Sequence, residues 1–425
     1  MRDHSEHIQV SREKALEIII ENCRFNPGFE EIPASLAEGR ILAEDVFSMW
    51  DCPNTLSCRL DSVAVRWSDF ENGMPDTSGW VRGRQWQFAN TGVAMPEGFD
   101  TAIVIEHVIL SENDTNIAFD ALPSGKYAGT VPAGSRMKRG ELLLKKGTMI
   151  TPLLVSYIMS GNVTSVKVLK KPVVAFIPTG NELVSLTGEV PPGKNIESNS
   201  AVIAGKVRKW GGEPLIHEIV PDYRKAICDA LLDMSDKADI IVLNAGSSKG
   251  SDDWGIEMLD EVGKVLYHQT NHGPGHHSSF GMIGNTPVVG ISGPPGGAAF
   301  SADFYLYPAV AAYLGRNPYP VRLTVRLGEE LQVFDKFKKS EKTKKAPAGE
   351  ERPIETGEFY SVKQLKLRQA DDGMIEAFPV GGINPTPVEA ENADAYYLMP
   401  GWEGKMPPKI GDLIEVELRP DYKRG

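Results

Sequence analysis

The sequence predicts a multidomain α/β protein. At its centre is a doubly wound, mostly parallel sheet, joined by a discontinuous N-terminal helical domain, an inserted small β domain and a C-terminal β domain. Three observations carry this. First, the apolar runs PVVAFIP (172–178), DIIVLN (239–244) and TPVVGIS (286–292) each break into a small-residue loop. Runs of this length and β-branched content, followed by helical patterns, are how strands covered on both faces read. Second, the text between Leu42 and Gly147 is turn-rich, with short alternating runs such as DSVAVRW and DTAIVIEHVIL. That pattern suggests short strands in a small β domain, and helical segments flank it on both sides. Third, β text returns after Asn317 in PVRLTVRL, EFYSVKQLKLRQ and DLIEVEL.

The chain of 425 residues is too long for one ordinary domain. The composition shifts divide it into residues 1–48 with 131–171, the inserted domain 49–130, the sheet domain 172–316 and the C-terminal domain 317–425. In order, Ser11 is a natural N-cap for REKALEIIIENC, whose Ala15, Leu16, Ile19 and Ile20 fall on one stripe until Pro27 and Gly28 end it. Thr151 to Ser160 is the next helix, with Pro152 in its first turn. From Pro172 to Arg316, strand, loop and helix alternate, with helices expected over 199–210, 224–235, 254–262 and the long run AAFSADFYLYPAVAAYLG. The lysine-dense segment 334–353 has little apolar area to offset the entropy of ordering and predicts an excursion from the C-terminal domain.

Composition excludes several functions. A formal charge of −12 argues against a nucleic-acid partner, since the phosphate backbone would meet a repelling average surface. Cys23, Cys52, Cys58 and Cys228 show no zinc-type spacing and read as reduced structural thiols. No apolar run approaches the ~20 residues of a membrane span, and the polar start MRDHSEHIQV is unlike a signal peptide. The expectation is a cytoplasmic protein with no membrane partner.

The chemistry-bearing residues gather at the strand ends. In an open α/β sheet the carboxyl edge is where ligands bind. Thr179, Gly180 and Glu182 follow the first strand; Glu182 reads either as a ligand-facing carboxylate or as an acid matched to a helix dipole. Asp222 follows LIHEIV, as a carboxylate for the site or as a helix cap. NAGSSKGSDDW offers Gly246, Ser247, Ser248 and Gly250 as a phosphate cradle, with Asp252 and Asp253 placed for magnesium. The same letters also make an ordinary turn. ISGPPGGAAF brings Gly293 and Pro295 but no Walker-type lysine. HQTNHGPGHH crowds His268, His272, His276 and His277 into ten residues; Gly273-Pro274-Gly275 forbids the helix that zinc ligation at that spacing needs. It reads as an oxyanion-receiving loop, a surface loop or, less readily, a metal site. In the inserted domain Asp61 opens DSVAV, and Thr91, Glu97, Asp100 and Glu106 surround the turns of TGVAMPEGFDTAIVIE.

The succession of Asp61 in DSVAV, TGVAMPEGFDTAIVIE, PTGNEL, AGSSKGSDD and GISGPPGGAA, with a β tail behind, resembles the molybdopterin molybdenumtransferase family, of the MoeA and gephyrin E-domain type. The resemblance spans nearly the whole chain. It implies four domains with a MogA-like sheet domain, a homodimer, and insertion of molybdate or tungstate into adenylylated molybdopterin with release of AMP. It implies Asp61, Glu182, Asp222 and Asp253 as the catalytic set, with Mg2+ held by Glu182 and Asp253. Thr91, Thr179, Gly180, Gly246, Ser247, Ser248, Gly250, His272, His276, Gly293 and Pro295 would contact the pterin nucleotide. The chain also departs from the family. LSCRLDSVA stands for the family's DNSAMDGYA, NAGSSKG for SGGxSxG, GPGHH for the lysine-bearing KPGKP, SGPP for PGNP, and AGSR for an RGED-like turn. Replacing lysines by histidines exchanges fixed charge for groups that titrate near neutrality. The rewritten segments leave open a second reading, a paralogue that holds the pterin or the finished cofactor without turnover.

Overall fold

The computed structural model describes residues 9–111, 113–186, 188–244, 254–332, 359–381, 385–400 and 407–422. The chain divides into two compact units, residues 1–27 with 171–425 and residues 28–170.

The first unit is built on a six-stranded sheet. Glu213–Ile216, Val173–Pro178, Ile240–Asn244 and Thr286–Ile291 run parallel in that spatial order. Ile240–Asn244 is buried along its whole length, which explains its unbroken apolar text. Helices Asn199–Trp210, Arg224–Ser235 and Trp254–Val262 connect the strands. Two antiparallel strands, Ser279–Ile283 and Lys264–Tyr267, complete the sheet. Ser279–Ile283 was not expected from the sequence, although its signal is present. Gly284-Asn285 makes a two-residue turn, with Gly284 at φ +56°, into the strand that begins at Thr286. That is the primed-turn geometry a hairpin favours.

The C-terminal strands form a separate core. Tyr360–Gln369, Ile375–Pro379, Arg322–Leu327, Leu413–Leu418 and Ala395–Pro400 pair in succession, and Tyr360–Gln369 also pairs with Ala395–Pro400, closing a small barrel. The lysine-rich stretch 334–353 lies outside the described residues.

The first helix, Arg12–Asn22, forms where the sequence predicts it, with Ser11 Oγ accepting the Lys14 N–H at 3.1 Å. Its partner differs from the expectation that residues 1–48 join 131–171. Residues 1–27 belong to the unit that contains the sheet. Gln9–Val10 pairs with Gln269–Thr270, and Arg12 forms a buried ion pair with Glu417 on the barrel while lying 4.2 Å over the Phe304 ring. An amphipathic stripe shows that a helix has a buried side, but not what covers it.

The run 298–315 contains a feature no propensity predicts: the helix passes through a π-helical turn, Ala302–Leu306. Asp303 in that turn is buried, where it meets Lys206 Nζ from the helix Asn199–Trp210 and accepts a 2.6 Å hydrogen bond from Tyr396 Oη on the barrel. Arg419 Nε is 3.9 Å away. One carboxylate thus joins three elements remote in sequence.

Among the described residues the second unit has three apolar clusters, the smallest around Cys58, Ala64, Ala89 and Ala102. Phe29–Pro33 pairs with Ser165–Leu169 beneath helix Pro152–Ser160, around Leu42, Ile150, Ile158 and Val168. Residues of the inserted stretch form a three-stranded sheet, Gln87–Ala89, Ser62–Val65 and Thr101–Val104, over an aromatic cluster of Trp86, Phe70 and Phe119.

Replacing Asp303 by Ala leaves the mostly buried Lys206 ammonium without its carboxylate partner. Removing one partner of a buried pair costs about 3–5 kcal/mol. The expected outcome in urea unfolding is a lower midpoint for the transition that follows the first unit, with Asp303→Asn, which keeps one acceptor, falling between the two.

Candidate functional site

At the carboxyl edge of the sheet the ladder ends, and backbone groups need new partners. Asn244 closes its strand and supplies several. Its carbonyl accepts both the N–H and the hydroxyl of Thr179, each at 3.1 Å, and its Nδ2 donates to the Ser292 carbonyl at 3.2 Å. Asn199, the first residue of its helix, adds a second amide: Nδ2 donates to Asn244 Oδ1 and to the Gly293 carbonyl, both at 2.8 Å. This amide pair ties together the loops after three neighbouring strands. Both asparagines are buried. Neither was singled out in the sequence, where an Asn after Ser198 reads as capping material; only the side-chain partners identify the clamp.

Beyond the clamp the edge is open. Gly180 N–H donates to the Val220 carbonyl at 3.1 Å. Glu182 folds back over this glycine: a Cβ there would lie 2.7 Å from both carboxylate oxygens. Asn181 and Asp222 bond reciprocally, Asn181 N–H to Asp222 Oδ2 at 3.0 Å and Asp222 N–H to Asn181 Oδ1 at 3.2 Å. The two predicted acids, Glu182 and Asp222, therefore sit on adjoining loops of one edge, Glu182 exposed and Asp222 half-buried. Asp253, with Gly246, Ser247, Ser248 and Gly250 of the expected phosphate cradle, lies outside the described residues. Among the described residues no group of three His, Cys, Asp or Glu side chains is arranged to hold a metal. Magnesium does not require one, since it is commonly held by one or two carboxylates with retained waters. Of the two acids expected to hold it, Glu182 is exposed on this edge and Asp253 lies outside the described residues.

Two residues expected to touch ligand have other tasks. The Thr179 hydroxyl is buried on Asn244. His272 is a clearer correction. It is fully buried, its Nδ1 is 3.0 Å from the Pro274 carbonyl, its Nε2 is 2.5 Å from Tyr305 Oη, and its ring stacks on Tyr305. Burial, then the nearby Arg12 charge, pushes its pKa down to about 3. His272 is thus a neutral core residue and offers no charge to an oxyanion. His276 is half-buried with its ring centroid 3.7 Å from that of His277, and burial followed by the His277 charge moves its pKa below the usual value. Gly293 presents its carbonyl to Asn199, and Pro295 is exposed at the start of helix Pro295–Ser301. Pro294 and Pro295, with Pro274 and Ser198, also line a cleft of about 750 Å³ whose opposite wall is the C-terminal barrel, including Tyr396 and Arg419.

In the second unit Asp61 and Thr91, distant in sequence, come together. Asp61 Oδ1 accepts the Thr91 N–H at 2.9 Å and its Oγ1 at 3.0 Å. Both residues are exposed, and these two hydrogen bonds hold the Asp61 pKa below the ordinary carboxylate range. Asp100 instead serves structure: its Oδ1 accepts the Trp67 N–H at 2.8 Å.

The architecture defines a multidomain α/β protein built on a mostly parallel sheet whose carboxyl edge carries clamped loops and acids. Two family models match the chain: the MoeA N-terminal region (domain I and II) over residues 10–160, and a probable molybdopterin binding domain over residues 175–312. A molybdopterin molybdenumtransferase of Haemophilus influenzae is 26% identical over 312 residues, 71% of this chain and 77% of its own length. One from a Nostoc species is 26% identical over 317 residues, 69% and 72% of the two chains. The crystal structure of a molybdopterin biosynthesis MoeA protein from Pyrococcus horikoshii matches with a TM-score of 0.72 at 23% identity, over 96% of this chain and 99% of that one, and supports the fold. The chain is a member of the MoeA family.

The His272 environment sets a pH dependence. Its folded pKa lies below its unfolded value, so the unfolded chain takes up a proton as pH falls through ~6.5 while the folded chain does not until about pH 3. Stability is fully present above pH ~6.5 and declines below it, by about 2 kcal/mol at pH 5. Denaturant melts between pH 5 and 7.5 should show that decline, and His272→Gln should flatten it. Asn199→Ala, which frees the Gly293 and Asn244 acceptors, should lower stability by about 1–3 kcal/mol in the same assay.

Proposed function

We propose that this chain acts in molybdenum-cofactor biosynthesis, inserting molybdate or tungstate into adenylylated molybdopterin with release of AMP. The observation that carries the reading is the assembly at the carboxyl edge: Glu182 and Asp222 on adjoining loops tied through Asn181, in a chain of the MoeA family. The relatives that bear the name molybdopterin molybdenumtransferase supply the reaction class.

In this reading the pterin nucleotide lies over the sheet edge. Glu182 and Asp222, together with Asp253, would hold magnesium there, whose charge would offset that of the phosphates. The amide clamp keeps the loops from relaxing into that space. Asp61 is kept ionised by two donors from Thr91, which suits it to orient a nucleophile or stabilise positive charge as a carboxylate. The site would be completed as a homodimer, a state that gel filtration with light scattering checks.

A second reading, a pterin-binding paralogue without turnover, is favoured by the loop Gly273–His277. In that loop His276 is held below its usual pKa, and the adjoining His272 is buried and neutral. Mixing the protein with adenylylated molybdopterin, magnesium and molybdate separates the two: AMP release supports the insertase, and saturable binding with no AMP supports the carrier. For an insertase, Asp61→Asn should cut AMP release about a hundredfold or more while leaving the unfolding midpoint unchanged, because Asp61 is exposed.

A further inference from the structure

The acids at the sheet edge present a problem for an anionic ligand. Glu182 and Asp222 are both placed there, the net charge of the chain is −12, and the histidine loop supplies little compensating charge. A cation near those acids would be needed to receive phosphate or molybdate oxygens.

Among the described residues one side chain on this edge meets the requirement. Asn195–Ile196 pairs in parallel with Leu183–Val184, and the Asn195 N–H donates to the Glu182 carbonyl at 2.8 Å. This short ladder brings the preceding residue, Lys194, to the loop that bears Glu182. Lys194 Nζ donates to the carbonyl of Asn181, the residue that also holds Asp222. The ammonium is exposed, and among the described residues no carboxylate lies within ion-pair distance of it. By contrast, Lys206 and Arg419 along the neighbouring cleft are both engaged by Asp303, and Arg419 also by Asp421. A carbonyl partner orients Lys194 without neutralising it, and the two further ammonium protons remain available.

We propose that Lys194 contacts the anionic part of the ligand at this site, receiving a phosphate or metal-oxyanion oxygen beside Glu182 and Asp222. The proposal rests on the reading of the site as one for a pterin nucleotide and an oxyanion. It assigns a fixed charge to a position on the PPGKN turn (191–195) that the sequence alone leaves as loop. It also places the cation on a different loop from the family's lysine-bearing one.

The test uses the full chain with magnesium and two probes, AMP and molybdate, titrated calorimetrically against wild type, Lys194→Met and Lys194→Arg. The Met variant keeps the aliphatic stem, and Lys194 is exposed, so thermal unfolding should be unchanged. At about 50 mM salt the Met variant should bind the contacted anion about tenfold more weakly, a difference of 1.4 kcal/mol. That difference should shrink at about 0.5 M salt, where screening takes over, and Lys194→Arg should stay close to wild type. Loss confined to AMP assigns the contact to phosphate, loss confined to molybdate assigns it to the metal oxyanion, and loss of both supports shared contact. If wild type binds the probes and Lys194→Met binds them equally well, the role of Lys194 is overturned while the site reading stands. If folded wild type binds neither probe, the site reading falls and the proposal with it.

Discussion

A parallel sheet must stop somewhere, and where it stops its backbone groups lose their ladder partners. In this chain two buried asparagines answer that constraint. Asn244 bonds the Thr179 backbone and hydroxyl on one side and the Ser292 carbonyl on the other, and Asn199 braces it while holding the Gly293 carbonyl. The loops therefore leave the sheet from fixed points, and Glu182 and Asp222 take their positions relative to that anchor. Satisfying the same groups with water would have left the edge softer and the acids less defined.

A second buried polar centre, Asp303, acts on a larger scale. The π turn sets its carboxylate among Lys206, Tyr396 and Arg419, which fastens the C-terminal barrel to the helical layer over the sheet. Irregular helical turns of this kind persist where the surroundings over-determine them. Here the surroundings are an ion pair and a tyrosine hydrogen bond shielded from water. The cleft between the barrel and the helical layer is lined by Lys206, Tyr396 and Arg419, so the contacts that hold the barrel also form part of the cleft wall.

The histidine-rich loop shows how residue type and residue role separate. Four imidazoles in ten residues suggest charge or metal. Yet His272 packs on Tyr305 and Phe304, and burial removes its proton affinity. The His276 ring lies tilted against that of His277, and burial followed by that neighbour lowers the His276 pKa. Burial thus makes His272, at the head of this loop, a residue of the core.

Much was legible in the residues alone. The parallel strands, the helices between them, the β character of the inserted and terminal stretches and the Ser11 cap all follow from periodicity and turn chemistry, because those signals are local. The acids at the strand ends were legible too, since a strand followed by a short polar loop fixes which edge a residue occupies. Three things depended on tertiary structure. Which unit the first helix joins is set by the Arg12–Glu417 pair, across 405 residues. Whether His272 is charged is set by what buries it. Which polar residues anchor the sheet edge is set by side-chain partners such as Asn199 and Asn244. Sequence determines local geometry and chemical capacity; solvation and long-range pairing, which decide how that capacity is used, exist only once the chain has folded.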